Sequence, residues 1–290
     1  MPKPLFVAVG AEGLRMASRD GREWQHVQTG REGEVWRAVA FGSGVFVAIG
    51  SYGGDNIMGV SSDGQKWKTT KHDAKYSRYF RGLTFGAGRF VALGGDPGSV
   101  GSSKPFVSIS RDGETWEAPL EVVGKNILRR AAFGRDRFVG IGDRGRRAGS
   151  VDGKEWKDDP AVEALDTMVD VAFGGGVFVG VGLHGLRMRT VDGTTWTDRV
   201  VGDEGDHLNT IVHTGDRFVA IGTASTCTST DGIVWKSTAN DKPPATAVWG
   251  GGLFVGSTWK GRILTSTDGV RFAETFRARH SVEAIASGEV

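Results

Sequence analysis

Three arginines recur at equivalent places in successive segments of the chain: Arg37, Arg81 and Arg129 each lie at the start of a short apolar phrase. A guanidinium group is planar, permanently charged and able to donate paired hydrogen bonds to a carboxylate or a phosphate. If these side chains converge, the sequence predicts a binding site for an anionic group. Alternatively, each arginine packs its alkyl stem along its own segment and pairs with a local aspartate.

Four aromatic side chains and a further arginine fall on or beside predicted loops and are the other candidates for binding. They are Tyr52, Tyr76, Tyr79, Trp259 and Arg262. An exposed Trp259 could stack on a sugar ring or receive a peptide side chain, or it could be a packing residue. Trp36 and Trp249 fall within predicted strands, and we expect both in the core.

Carboxylates are the candidates for catalysis. Asp55, Asp73, Asp96, Asp166 and Asp206 lie in predicted connections, and two carboxylates across a cleft could hydrolyse a glycosidic bond. The histidines have no metal-ligand spacing, and the sequence contains neither a phosphate-binding glycine loop nor a nucleophile-elbow motif. We therefore predict no catalytic residue, no cofactor and no metal.

An internal repeat supplies the elements that must position these residues. The motif Ser/Thr-x-Asp-Gly-x-x-Trp/Phe, which we call the Asp-Gly motif, occurs seven times at a period of about 41 residues, which is typical of propeller blades. Its closing aromatic residues are Trp24, Trp67, Trp116, Trp156, Trp196, Trp235 and Phe272. Each motif follows a phrase such as Phe46–Gly50, which predicts a strand ended by glycine.

Each repeat predicts four antiparallel strands. In the second repeat they are Arg37–Phe41, Val45–Ile49, Ile57–Ser61 and a strand starting at Trp67. In the motif, the carboxylate is expected to accept backbone amides and the glycine to provide a positive φ, while the aromatic ring fills the gap between blades. This predicts a structural role for the aspartates Asp20, Asp63, Asp112, Asp152, Asp192, Asp231 and Asp268.

The Asp-Gly motif resembles the Asp box of bacterial neuraminidase (BNR) repeat propellers, which include sialidases and many non-enzymatic relatives. The resemblance covers nearly the whole chain and implies an all-β, seven-bladed β-propeller. It also implies that the motifs lie on one face and that ligands bind on the other. The Arg-Ile-Pro segment of sialidases is missing, and none of the three tyrosines matches their nucleophile, so sialidase activity is not expected.

The two ends of the sequence predict how the propeller closes. Val282–Gly288 repeats the first-strand phrase, whereas the chain begins with a second-strand phrase at Phe6. The C-terminal strand is therefore expected to complete the first blade and to leave no open edge. We predict one domain spanning residues 1–290.

Composition narrows the class of protein. The net charge is +2, 39% of residues are hydrophobic and no long apolar stretch occurs, so we predict no membrane span and no nucleic-acid partner. No signal peptide is recognisable, and the single Cys227 cannot form an internal disulfide, which favours the cytoplasm. A basic segment, 125–147, precedes acidic connections at 158–166 and 203–206; these could be solvated surface or could steer a charged partner.

Long connections indicate where recognition occurs. Thr70–Tyr79 and Gly95–Pro105 exceed what a hairpin needs and lie in one sector of the propeller. We therefore predict a non-catalytic scaffold that binds a protein partner through its loop-rich face in an intracellular assembly. The alternatives are an acidic ligand, a glycan-binding (lectin-like) or glycan-cleaving propeller, and a structural spacer.

Overall fold

The computed structural model describes residues 3–72, 79–96, 103–162 and 166–290. These residues form seven four-stranded antiparallel sheets, and the innermost strands of successive sheets contact one another in a closed ring. The molecule is therefore a seven-bladed β-propeller, which confirms the fold predicted from the repeats. No described segment forms a helix of the length and apolarity that a membrane span requires.

The four strands of each blade follow one another from the central channel outward. From the innermost strand, blade 1 contains β28 (Val282–Glu289), β1 (Pro4–Gly10), β2 (Arg15–Ser18) and β3 (Gln25–Gln28). Blade 2 contains β4 (Val35–Gly42), β5 (Val45–Tyr52), β6 (Asp55–Ser61) and β7 (Lys68–His72). Blade 3 contains β8 (Tyr79–Gly86), β9 (Arg89–Asp96), β10 (Lys104–Ser110) and β11 (Leu120–Glu121). Blade 4 contains β12 (Leu128–Gly134), β13 (Arg137–Gly142), β14 (Arg147–Ser150) and β15 (Lys157–Asp158).

The remaining blades have the same order. Blade 5 contains β16 (Met168–Gly174), β17 (Val177–Gly182), β18 (Arg187–Thr190) and β19 (Trp196–Val200). Blade 6 contains β20 (Leu208–His213), β21 (Phe218–Gly222), β22 (Ser225–Ser229) and β23 (Lys236–Ala239). Blade 7 contains β24 (Thr246–Gly250), β25 (Leu253–Ser257), β26 (Arg262–Ser266) and β27 (Ala273–Arg277). Two 3-10 turns, Asp143–Gly145 and Leu183–Gly185, connect the second and third strands of blades 4 and 5.

The second strand of each blade is apolar on both faces. In β5, consecutive residues from Phe46 to Gly50 are all buried, without the alternation of a sheet that has one face in water. This pattern arises because each blade is covered by a neighbouring blade on either side. It also explains why the repeated phrase is continuously apolar.

The termini close the ring as predicted. Strand β28 pairs antiparallel with β1 from Pro4 opposite Glu289 to Gly10 opposite Val282. The C-terminal strand is therefore the innermost strand of blade 1, and the backbone groups of β1 are bonded on both sides by β28 and β2.

The Asp-Gly motif forms the same turn in every blade. In all seven copies, one carboxylate oxygen of the aspartate accepts the backbone amides two and three residues later, at 2.7–3.0 Å. The indole Nε1 of each of the six tryptophans donates to the carbonyl of the motif glycine. The aspartates therefore hold the turn between the third and fourth strands.

The motif glycine touches the preceding blade. In each case φ is positive, and a Cβ atom would fall within 3.0 Å of a valine of the preceding blade's second strand. In the order of the motif glycines they contact, from Gly21 to Gly269, these valines are Val255, Val7, Val47, Val91, Val139, Val179 and Val219. The two phrases that repeat along the sequence therefore meet at each boundary between blades.

The motif aromatic rings reinforce the same boundaries. Each ring packs in an apolar cluster that draws on its own blade and on the preceding one; Trp156, for example, packs with Val91 and Leu93. The rings therefore lie at the boundaries between blades. Cys227 is also buried, as expected.

The tight interblade contact predicts a difference between two glycine substitutions. Gly113 (φ +77°) would bring a Cβ within 2.3 Å of Val47, whereas Gly44 (φ +78°) has open space. Both Gly→Ala changes cost roughly 1 kcal/mol for the positive φ, and Gly113→Ala should cost about 1–3 kcal/mol more because of the clash. Urea unfolding of both variants measures the difference. Equal stability of the two would show that the blades do not pack as described.

The motif carboxylates predict acid sensitivity. For Asp268, burial acts to raise the pKa, but hydrogen bonds from the Arg271 and Val270 amides and from Ser266 lower it from 3.8 to about 2. Because the folded-state pKa is depressed, the resulting stability is present above about pH 4 and is lost as pH falls toward 2. The gap in melting temperature between wild type and Asp268→Asn should narrow over that range. Exposed Asp203→Asn is the control; a gap independent of pH would contradict the assignment.

Candidate functional site

The innermost strands carry an inserted residue near one end of the channel. The pairing register slips by one position in six of the seven blades, so that one residue of the inner strand lacks a partner opposite it; in β4 this residue is Arg37, between Trp36 and Ala38. A bulge of this kind re-aims a side chain and often lies beside a functional site. The six bulge residues are Glu283, Arg37, Arg81, Arg129, Val169 and Asn209.

The bulges lie at the end of the channel where the second and third strands of each blade are joined. By the strand order, this face also carries the connections between blades, and we call it the loop face. The opposite face carries the Asp-Gly turns and is called the Asp-Gly face. Thus the three arginines proposed from the sequence lie on the loop face in consecutive blades.

The arginines are close enough to repel one another. Burial, and then the charges of Arg37 and Arg129, lower the pKa of the Arg81 guanidinium, while Asp143 and Glu283 act in the opposite direction. The three arginines therefore carry more positive charge than Asp143 and Glu283 neutralise.

The three arginines are not equivalent. Arg129 pairs with Asp143 through two contacts, one of them Nη2 to Oδ2 at 2.9 Å, which is the local pairing that the sequence left open. Arg37 and Arg81 are half-buried, and within the described residues neither makes an ion pair or a side-chain hydrogen bond. Two guanidinium groups thus remain available for an anion.

These two arginines line a pocket with two of the predicted tyrosines. The cavity has a volume of about 260 Å³ and lies between blades 2 and 3; we call it the Arg37–Arg81 pocket. Its lining is Gly33, Arg37, Ser51, Tyr52, Gly53, Gly54, Tyr79 and Arg81. Arg31 lies over the Tyr52 ring, with its guanidinium carbon 5.0 Å from the ring centroid.

A tight hairpin positions the tyrosine side of the pocket. Tyr52 pairs with Asp55 across the turn Gly53–Gly54, where both glycines have positive φ. Asp55 in turn pairs with Lys71 at 2.7 Å. The stretch after the second strand is therefore an ordered hairpin rather than the variable loop that the sequence predicted.

Other residues proposed from the sequence lie elsewhere. Trp259 is 80% exposed on the loop face of blade 7 and does not line the pocket. Arg262 pairs with Glu274 at 2.7 Å and is not free for a ligand. Tyr76 lies outside the described residues, as do most of the two long connections 70–79 and 95–105.

The charged segments of blades 4 and 5 pair with each other. Arg147 is fully buried and contacts Asp159 at 2.9 Å and Asp166 at 3.2 Å, while Arg199 contacts Asp166 at 2.9 Å. Arg146 is also buried and contacts Asp158 at 3.0 Å. Sequence reasoning placed these charges on the surface, as solvated loops or as a steering patch; instead they form a network, buried at Arg147 and Asp166, that ties adjacent connections together.

The described residues show no arrangement for paired-carboxylate hydrolysis in the pocket. Among the described residues that line it, there is no aspartate or glutamate. Asp55 and Asp166 are engaged in ion pairs, and Asp73 lies outside the described residues. Among the described residues, no group of three or more metal-binding side chains could hold a metal ion.

Comparison with known proteins supports the architecture. No protein-family profile and no curated protein matches the chain. Among solved structures, a Bacteroides fragilis protein provisionally assigned as a 6-phosphogluconolactonase matches with a TM-score of 0.70 and 10% identity, covering 99% of this chain and 98% of that one. YCF48 bound to D1 peptide matches with a TM-score of 0.60 and 16% identity, covering 80% and 76%.

A chain of the mitotic checkpoint complex is a third match, with a TM-score of 0.63 and 7% identity, covering 86% of this chain and 80% of that one. At these levels of identity the similarity demonstrates the propeller fold alone. The specific site must be argued from this chain's own residues.

The charge cluster predicts opposite effects for two matched substitutions. Arg81→Gln removes a half-buried, unpaired charge and should raise the free energy of unfolding by on the order of 0.5 kcal/mol at low salt. Arg129→Gln breaks the pair with Asp143 and should lower it by up to about 1 kcal/mol. Thermal melts at low and high ionic strength measure both, and the gain from Arg81→Gln should shrink with salt. A loss of stability in Arg81→Gln would mean that Arg81 is a structural residue.

Proposed function

We propose that this chain is a non-catalytic propeller scaffold that binds a protein partner on its loop face, through an acidic group that enters the Arg37–Arg81 pocket. One observation carries the proposal: two adjacent, half-buried guanidinium groups line an open pocket without an anionic partner in the described chain. Arginine and tyrosine are the residues enriched among those that dominate binding energy at protein interfaces.

The electrostatics of the pocket favour an anion from outside the chain. Burial and the neighbouring charges of Arg37 and Arg129 lower the pKa of Arg81, so its positive charge is held at a cost in free energy. A carboxylate between Arg37 and Arg81 would offset that cost and accept paired hydrogen bonds. The Tyr52 and Tyr79 rings supply contact area beside it.

The shape of the pocket suits a side chain or a chain terminus rather than a large ligand. Its volume of about 260 Å³ lies below the usual range for pockets that enclose small molecules, about 300–1,000 Å³. The rest of the interface would extend over the surrounding loop face. YCF48 was solved bound to D1 peptide, and another matching chain was solved within the mitotic checkpoint complex, which supports this use of the fold by analogy.

Membership of the Asp-box group, a single domain of residues 1–290 and a cytoplasmic location are part of the same proposal. The first rests on the seven motifs, and the last on the single, buried Cys227. Trp259 lies in blade 7, away from the pocket, and offers a second contact for the same partner.

Removal of the two pocket charges should abolish partner binding. The full-length tagged protein is purified from its own cell after cross-linking, as wild type and as Arg37→Gln/Arg81→Gln, and the co-purifying proteins are quantified by mass spectrometry. A partner held by two charge-assisted contacts should fall at least tenfold in the double variant, because each such contact contributes roughly 1.5–3 kcal/mol.

The control is Arg19→Gln/Arg111→Gln, which removes two exposed arginines from the Asp-Gly face and makes the same change in net charge. It should retain the partner. Equal recovery with both double variants would contradict the proposal, as would equal loss.

A further inference from the structure

A packing rule governs the aromatic rings at the Asp-Gly end of the channel. At five blade boundaries a ring at the end of an inner strand lies flat against a glycine of the preceding blade, so closely that a Cβ on the glycine would fall 2.0–2.4 Å from it. The ring and glycine pairs are Phe41 with Gly288, Phe85 with Gly42, Phe133 with Gly86, Phe173 with Gly134 and His213 with Gly174. At these boundaries the rings cover the seam between blades.

The boundary between blades 6 and 7 breaks this rule. Thr214 stands where the other blades have glycine, and Trp249 of blade 7 packs in an apolar cluster with Val219 and Phe254. Trp36 is fully buried as expected, whereas Trp249, which was also expected in the core, is half-buried, as are the equivalent rings of the other blades. A cavity of about 280 Å³ lies at this boundary on the Asp-Gly face, and Trp249 and Thr214 both line it. We call it the Trp249 cleft.

Polar groups surround the indole in this cleft, and their charges are balanced. The lining includes Asp216, Arg217, Thr228 and Thr267, together with Asp268. Asp216 pairs with Arg217 at 3.2 Å, and Asp268 pairs with Arg271 at 3.3 Å. The cleft therefore offers carboxylates and hydroxyls but little net charge.

The carboxylates remain ionised at neutral pH and can accept hydrogen bonds. A hydrogen bond from Thr214 lowers the pKa of Asp216, with Thr214 Oγ1 at 2.6 Å from Oδ1. Within the described part of the chain, the second oxygen of Asp216 contacts only the exposed Arg217. A hydroxyl-rich ligand could share it.

We infer that the Trp249 cleft binds a single neutral pyranose ring. Trp249 provides an aromatic surface for the apolar face of the sugar, and Asp216, Arg217 and the threonines provide acceptors and donors for its hydroxyls. A ligand with a net charge or a phosphate would meet no counter-charge, since the acidic and basic groups are already paired. The volume suits one ring rather than an oligosaccharide.

The test uses ¹⁵N-labelled full-length protein and the indole N–H signals, with that of Trp249 assigned from Trp249→Phe. Neutral monosaccharides (glucose, galactose, mannose and N-acetylglucosamine) are added at millimolar concentrations, and adenosine is added as a planar ligand without charge. We expect saturable shifts of the Trp249 signal with at least one sugar and none with adenosine. No shift with any sugar, or a shift with adenosine alone, overturns the inference.

Two variants test whether the sugar response depends on the residues that line the cleft. Thr214→Gly removes the hydroxyl that donates a hydrogen bond to Asp216, so it should weaken the sugar response. Asp216→Asn keeps the shape and should weaken the sugar response at least threefold. Undiminished responses in both variants would overturn the inference. Arg37→Gln/Arg81→Gln acts on the opposite face and should leave the response unchanged, so this site and the partner-binding proposal can fail separately.

Discussion

The contact on which the structure depends is that between the Asp-Gly glycine of one blade and the second-strand valine of the preceding blade. It recurs at every boundary between blades and leaves no room for a Cβ atom. The aspartate holds the turn in the shape that makes the contact, and the closing aromatic ring fills the space beside it. Seven such contacts fix the angle between blades, so the inner strands converge on one channel.

That regular scaffold makes irregular positions informative. Six inner strands carry a bulge at the same level, and its residue varies from arginine to valine, asparagine and glutamate around the ring. Closure of the ring does not require a bulge in every blade, since β24 pairs with β25 without one. The Arg37–Arg81 pocket arises where two basic bulges meet a glycine hairpin, and the Trp249 cleft arises where one threonine interrupts a ring of glycine contacts. Both sites are departures from the repeat.

The repeat itself could be predicted from the sequence because local rules determine it. The seven motifs and the continuous apolar strands were enough to predict seven blades. The first-strand phrase at Val282–Gly288 was enough to predict closure through β28. Aligning the repeats also brought Arg37, Arg81 and Arg129 together. Glu283 occupies the equivalent position in Val282–Gly288. That segment was interpreted only as the strand that closes the ring, so the place of Glu283 beside the arginines was missed. The pairing of Arg129 with Asp143, the buried network of Arg147 and the exposure of Trp249 depend on contacts between segments, which spacing along the chain does not reveal.

The most direct test of the account is a structure of the chain bound to the partner recovered with it. The account predicts a carboxylate of the partner within hydrogen-bonding distance of both the Arg37 and the Arg81 guanidinium groups, with the Tyr52 and Tyr79 rings against the same segment. A partner seated elsewhere, with the Arg37–Arg81 pocket open to solvent, would contradict it.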